Sequence, residues 1–258
     1  MSNLIRMDLH RMFLARSFKV CLVLSFLSGF IIVPAAKVFM MLVRILPESA
    51  GIPDLLPKSA DLSSLLRDPF PLMNGMLLLF SACYFYHADL EHGYIKNIAG
   101  QMPKRGYAVL SRYIALIVHN LIFVLTGMAG NLIGTVLFIK ITPDSEAVSS
   151  LGYLGIRLLL LHGICAILLL FTTSLRSKNF GMVLAVIFGA NMMRVLYMGI
   201  DAGLGILLKR SVSIENYMPD YLMWQETPDP VIALPVAAVT IVIFVLLSIR
   251  IFDRRDVK

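Results

Sequence analysis

Charged residues are scarce in this chain. Asp, Glu, Lys and Arg make up only 15% of its 258 residues, whereas 58% are hydrophobic. A typical soluble domain carries roughly 25% charged residues. The composition therefore excludes an ordinary soluble fold and favours a polytopic membrane protein. About six spans of roughly 20 residues each fit into this length and leave no room for a separate soluble domain.

Cysteine is also rare, and its spacing excludes two kinds of site. Cys21, Cys83 and Cys165 each lie in an apolar run and form no CxxC pair. We therefore expect neither a disulfide framework nor a metal site, and we interpret the three as small apolar residues. The net charge of +7 does not indicate nucleic acid, because the basic residues flank apolar runs, as the positive-inside rule requires.

Motifs for catalysis and for energy conversion are absent as well. The chain has no GxxxxGK[ST] phosphate loop and no HExxH or GxSxG sequence. Asp and Glu are missing from all the long apolar runs, which argues against a proton- or sodium-coupled carrier. We expect neither an enzyme nor a bound cofactor. A transporter of this kind would have to receive its energy through a cytoplasmic surface.

The apolar runs that are present predict an all-α membrane protein formed by one domain, residues 1–258. Six transmembrane helices are predicted at about 20–41, 70–86, 113–139, 152–173, 180–198 and 231–249. Residues 1–16 place Ile5, Leu9, Met12 and Phe13 on one face, which predicts an amphipathic helix in the membrane interface. The alternative is a cytosolic start to the first span. We predict a loop at 140–150, and short helices at the outer interface before the sixth span, within 199–230.

The distribution of Lys and Arg predicts the orientation. Fourteen of them lie in the N-terminal segment, the connection between the second and third spans, the turn between the fourth and fifth, and the C-terminal tail. Six lie in the connections on the other side. Both termini are therefore expected in the cytoplasm.

The cytoplasmic connection at 89–105 has the pattern of a short amphipathic helix. Leu90, Tyr94, Ile98 and Met102 recur at every fourth position, and Pro103 would end the helix. An apolar ridge on a helix at the base of a membrane bundle suits docking into a groove of a soluble partner. The alternative is an interfacial helix that packs on lipid.

This connection also carries a recognisable motif. It reads E-x-G-x-I-K-N-I, followed by P-K-R and a tyrosine, at Glu91, Gly93, Ile95, Lys96, Asn97, Ile98, Pro103, Arg105 and Tyr107. The motif resembles the coupling segment in permease subunits of type 2 ATP-binding-cassette exporters. The resemblance covers the whole chain, from the amphipathic start to the helical segment before the sixth span. Within that family, the chain is most similar to Gram-positive lantibiotic-immunity permeases and phenol-soluble-modulin exporters.

The resemblance implies a function and a set of partners. It implies a multi-pass permease of the bacterial cytoplasmic membrane that exports amphipathic or hydrophobic molecules, chiefly antimicrobial or cytolytic peptides. A second permease, in a homodimer or a pseudo-dimer of two different permeases, and two copies of a cytoplasmic ATPase, which holds ATP and Mg²⁺, would complete the transporter. The residues expected to contact the ATPase are Glu91, Gly93, Tyr94, Ile95, Lys96, Asn97, Ile98, Met102 and Pro103.

Polar residues within the spans are candidates for the translocation path, because such groups usually face protein or a water-filled cavity. They are Asn120, Asn131, His162, Asn191 and Arg194. For two of them other interpretations are open. His162, like His119, fits a hydrogen-bonded core residue. Arg194, like Arg157, lies near the outer end of a span, where snorkelling to the surface is expected.

Two other classes of function remain open from the sequence. One is a peptide-sensing or self-immunity membrane protein without vectorial transport. The other is a membrane enzyme, whose only neighbouring acid and histidine, Glu91 and His92, lack a further partner at motif spacing.

Overall fold

The computed structural model describes residues 1–45, 59–67, 72–91, 106–142, 144–175, 177–210 and 213–254. Nearly all of them are helical, so the all-α prediction is confirmed. The helices are α1 Ser2–Leu14, α2 Arg16–Ile45, α3 Leu62–Arg67, α4 Leu72–Glu91, α5 Gly106–Phe138, α6 Ala147–Leu175, α7 Lys178–Gly189, α8 Met193–Leu208, α9 Pro219–Trp224 and α10 Pro230–Arg254. A 3-10 turn at Glu215–Tyr217 precedes α9.

Four of the described helices, α2, α5, α6 and α10, are long and apolar enough to cross a membrane. The pair α7 and α8, bent by 75°, qualifies as a fifth span if it is counted as one broken helix. The chain is therefore a membrane protein with four or five helices of spanning character. Helix α4, the second predicted span, contains Asn74 and His87 and does not reach that apolarity. Six spans remain a prediction.

Several predicted boundaries require correction. Helix α5 begins at Gly106, ahead of the span predicted at about 113–139, so the basic end of the polar connection, including Arg112, belongs to this helix. The predicted fifth span is broken after Gly189, where Asn191 has a φ of 55°. Apolar residues continue across this break, and the hydrophobic pattern alone therefore gave no sign of it.

The predicted loop at 140–150 also contains regular structure. It includes a strand, β2 Lys140–Thr142, which pairs in parallel with β1 Ser59–Asp61. It also includes the first turn of α6. Strands of three residues are too short to show an alternating pattern, so the sequence did not predict them.

Helices α2 and α5 approach each other through glycines. A Cβ atom on Gly134 would lie 2.5 Å from the backbone carbonyl oxygen of Phe30, and one on Gly29 would lie 2.5 Å from the carbonyl oxygen of Gly127. Gly130 faces the carbonyl of Phe26 in the same way. The GxxxG spacing of Gly130 and Gly134 is a known signal for close packing of membrane helices, although the sequence analysis did not use it.

Helix α6 is the centre of the bundle. In its most apolar window 61% of the residues are buried, compared with 22% to 33% for α2, α5 and α10. Leu160, Ile164, Leu168 and Leu169 are fully buried in it. Its most extensive contact is with α10. The other long helices therefore present broad apolar faces to their surroundings.

The amphipathic start forms a helix, α1, which packs across the beginning of α5. Its buried face differs from the predicted one. Met12 is buried and Leu9 half-buried, as expected, but Phe13 is 44% exposed and Asp8 is only 4% exposed. The sequence analysis did not identify Asp8 as buried, because the partner of this carboxylate, Ser111, lies on another helix.

Candidate functional site

Only the first three residues of the predicted coupling segment, 89–91, lie within the described residues. Helix α4 runs through Glu91 and α5 starts at Gly106. The side chain of Glu91 lies outside the described part of the chain. The same is true of Gly93, Tyr94, Ile95, Lys96, Asn97, Ile98, Met102 and Pro103. The structure therefore gives the two helices that the segment connects, and their surroundings.

Helix α1 is attached to the first turns of α5 by a buried carboxylate. The Ser111 hydroxyl donates a hydrogen bond to Oδ2 of Asp8, and a guanidinium nitrogen of Arg11 lies 4.0 Å from the other carboxylate oxygen. Ser111 is fully buried, and its neighbour Arg112 is 2% exposed. Hydrogen bonds to an ionised group are stronger than those between neutral groups, and a buried carboxylate needs them. The N-terminal helix is therefore fastened to α5 just after the coupling segment.

Other segments that the distribution of Lys and Arg assigns to the same side of the membrane also lie at this end of the bundle. The Nζ of Lys178, at the start of α7, lies 4.3 Å from the ring centroid of Tyr84 near the end of α4. A Cβ atom on Gly106 would lie 3.1 Å from a carboxylate oxygen of Asp253 in the last turn of α10. The fold therefore brings together helix ends that are distant in the sequence.

One path candidate, Asn120, lies in a buried polar cluster between α4, α5 and α6. The ring of His119 contacts the Ser81 hydroxyl at 3.0 Å through Nε2 and the Asn120 side-chain oxygen at 3.2 Å through Nδ1. The Asn120 amide donates to the sulfur of Cys165 at 3.3 Å. All four side chains are buried. The interpretation of His119 as a hydrogen-bonded core residue is confirmed.

His162 and Asn131 also lie in helix packing. Nδ1 of His162 contacts the Leu158 carbonyl one turn earlier, and the Tyr113 hydroxyl donates to the carbonyl of His162 at 3.1 Å. Both His162 and Asn131 are 9% exposed. Asn131 lies at the close crossing of α2 and α5, since a Cβ atom on Gly29 would approach its backbone nitrogen to 2.9 Å.

The remaining two candidates, Asn191 and Arg194, lie at the bend between α7 and α8. The Arg194 side chain is 51% exposed, and its Nε lies 3.9 Å from Oε2 of Glu215. Its guanidinium lies 5.4 Å from the ring centroid of Tyr221. This exposure fits the snorkelling interpretation. The contacts described for the five path candidates do not join them into one site, so a common path remains a prediction.

Arg157 does not snorkel, contrary to expectation. It is 3% exposed, and its Nε donates to the Gln225 carbonyl at 3.1 Å, with a second donor from the same guanidinium to that oxygen. Position near the end of a span suggested a route to water. Its partner is a backbone carbonyl far along the sequence, which residue type cannot predict.

The sequence analysis also missed a buried acid at this end of the bundle. Asp220 is fully buried at the start of α9, and Oδ1 of its carboxylate accepts a hydrogen bond of 2.9 Å from the Tyr197 hydroxyl of α8. Burial raises the pKa of this carboxyl. The Pro219-Asp220 pair, a proline and an acid at a helix start, could have signalled α9. The burial of Asp220 had no signal in the sequence.

Among the described residues, no three His, Cys, Asp or Glu side chains are placed to hold a metal ion. The chain matches none of the known protein families with which it was compared. No curated protein sequence matches it either.

Proposed function

We propose that this chain is the permease subunit of an ATP-driven exporter in a bacterial cytoplasmic membrane. Two partner ATPase subunits would hold ATP and Mg²⁺, and a second copy of the chain would complete the transporter. The observation that carries the proposal is the attachment of α1 to the start of α5 beside the E-x-G segment at 91–107. The class of substrate, amphipathic or hydrophobic molecules and above all peptides, follows from the resemblance of that segment.

The packing supports a mechanical role for the segment. A partner that docks on residues 89–105 would act on the last turn of α4 and the first turn of α5, which the segment joins. The bond between Asp8 and Ser111 would carry the movement into α1. Helices α2 and α5 would move as a pair, because their backbones touch at the glycines. Helices α6 and α10 share the other extensive contact of the bundle and would form the opposing unit.

The exposed faces suit a lipid environment and a second permease. Val195, Ile206 and Leu207 of α8 are 76%, 82% and 80% exposed. Apolar side chains with such exposure are costly in water and favourable in a membrane. The proposed dimer would cover part of the apolar faces, and lipid the remainder.

The docking role is tested by assembly with candidate ATP-binding-cassette ATPases from the same genome. We expect the chain to copurify with one of them and to stimulate its ATPase activity. Glu91→Ala and Gly93→Trp should weaken both, because they alter the proposed contact surface. Arg6→Ala changes an exposed residue of α1 and is the control, which should leave both intact.

Unchanged assembly and activity in Glu91→Ala and Gly93→Trp would show that the segment does not dock. Peptide binding without an ATPase partner and without vectorial movement would instead support the sensing or self-immunity function.

A further inference from the structure

A cavity of about 400 Å³ lies between the junction of α1 and α2 and the C-terminal half of α4. Arg11, Arg16 and Ser17 supply its main polar groups, and Leu14, Tyr84 and Phe85 form part of the remaining wall. Cavities of roughly 300–1,000 Å³ with a few convergent polar groups are typical of small-molecule sites. None of the five path candidates lines it.

The polar side of this cavity is basic. Arg16 is exposed and Arg11 is partly buried. A third cation, Lys178, lies on the ring of the lining residue Tyr84. Asp8 lies 4.0 Å from Arg11 and offsets part of this charge. Among the described residues that line the cavity, the charged ones are Arg11 and Arg16, and both are positive. Guanidinium groups match the geometry of phosphate oxygens, and the Ser17 hydroxyl is a further donor.

The apolar side of the cavity continues towards exposed hydrophobic surface. Leu14 is 60% exposed, and Phe85 is half-buried. A ligand that fits must therefore combine an anionic group with an apolar part. By the distribution of Lys and Arg, this end of the bundle faces the cytoplasm, where anionic lipid headgroups meet basic residues at helix ends.

We propose that this cavity binds the phosphate headgroup of an anionic lipid of the inner leaflet. The guanidinium groups of Arg16 and Arg11 hold the phosphate, and the acyl chains lie along Leu14 and Phe85. The lipid bridges α1, α2 and α4, and it binds whether or not the chain is a transporter. The chemistry that the site recognises is a phosphate, which free inorganic phosphate shares, so the test separates the two sources.

The test measures lipid retention by native mass spectrometry on the full chain. The protein is purified in the presence of equal amounts of phosphatidylglycerol and phosphatidylcholine. We expect preferential retention of phosphatidylglycerol. Arg16→Gln should reduce that preference about fivefold, the change that corresponds to about 1 kcal/mol per basic residue at an anionic surface. Arg16→Lys, which keeps the charge, should retain part of it.

Lys19→Gln is the matched control, because Lys19 is an exposed cation one turn further along α2 that does not line the cavity. It should keep the preference of the original chain. Equal loss in Lys19→Gln and Arg16→Gln would reduce the effect to general surface charge and overturn the proposal. Lack of preference in the original chain, or an unchanged preference in Arg16→Gln, would also overturn it.

Thermal unfolding provides a second readout and confirms that each variant folds. Added phosphatidylglycerol should raise the Tm of the original chain and of Lys19→Gln more than that of Arg16→Gln. If inorganic phosphate displaces the lipid and reproduces the rise in Tm, the site belongs to a soluble phosphate, and the lipid proposal is wrong.

Discussion

Asp220 is the residue at which burial and charge conflict most directly. Its Oδ1 accepts a hydrogen bond from Tyr197, whereas its Oδ2 has no hydrogen-bond partner among the described residues. Removing an ionised carboxylate from water is costly, so burial shifts the equilibrium of this carboxyl in the direction of its protonated form. The raised pKa of Asp220 expresses this preference, with desolvation by burial as the main cause.

The stability of the fold should therefore depend on pH through Asp220. For an acid whose pKa is raised by folding, the stability falls as the pH rises from the usual Asp range through the folded pKa. Asp220→Asn keeps an acceptor for Tyr197 and removes the ionisation. We expect the Tm of this variant to exceed that of the original chain at neutral pH, and the difference to shrink under acidic conditions.

The measurement is thermal unfolding of the purified chain across the acidic to neutral range. Glu226→Gln removes an exposed acid from the same region and controls for the change in net charge. A difference in Tm between Asp220→Asn and the original chain that stays constant over this range would show that Asp220 does not titrate there.

The environment of a single residue could be predicted where the local sequence indicates how deeply that residue is buried. His119 lies in the middle of an apolar run, where a polar ring must find partners, and it does so with Ser81 and Asn120. The snorkelling predicted for Arg157 was wrong, and the burial of Asp8 was not foreseen, because their partners lie 68 and 103 positions away in the sequence. Depth follows from local hydropathy, whereas the identity of a partner depends on how the helices pack.

Helices α2 and α5 show which properties of a helix can be predicted from the sequence and which cannot. The long apolar runs predicted both helices, but their extra turns and the glycine contact were missed. Helix ends depend on capping and on tertiary contacts, which hydropathy does not report. The break at Asn191 was hidden for the same reason, because the residues on both sides of it are apolar.

The glycine contact between α2 and α5 yields a prediction of its own. Gly134→Ala would place a methyl group 2.5 Å from the Phe30 carbonyl oxygen, and backbone atoms cannot yield as a flexible side chain can. We expect a loss of about 1–3 kcal/mol in the free energy of unfolding, as for other overpacked sites. Equilibrium unfolding in detergent measures it.

Gly155→Ala is the matched control, because a Cβ atom on Gly155 in α6 would meet no atom of the described residues within 4 Å. It should be neutral, or stabilising by about 0.5–1 kcal/mol, since alanine is a better helix former than glycine. Equal effects of the two substitutions would contradict the close approach of α2 and α5.

At one end of the bundle, the termini of several helices that are distant in the sequence lie together. The starts of α5 and α7, the end of α4, and α1 all contribute contacts there. The distribution of Lys and Arg predicted this grouping without any contact information, because it reflects the side of the membrane on which each connection lies. The exporter proposal assigns this end to the ATPase.

That proposal is tested most directly by transport itself. Inside-out vesicles that contain this chain and its ATPase should take up a fluorescent amphipathic peptide when ATP and Mg²⁺ are supplied. We predict that the uptake requires both proteins, and that Gly93→Trp in this chain abolishes it while the Arg6→Ala control transports normally. Uptake that persists without the ATPase, or that is unchanged in Gly93→Trp, would contradict the account.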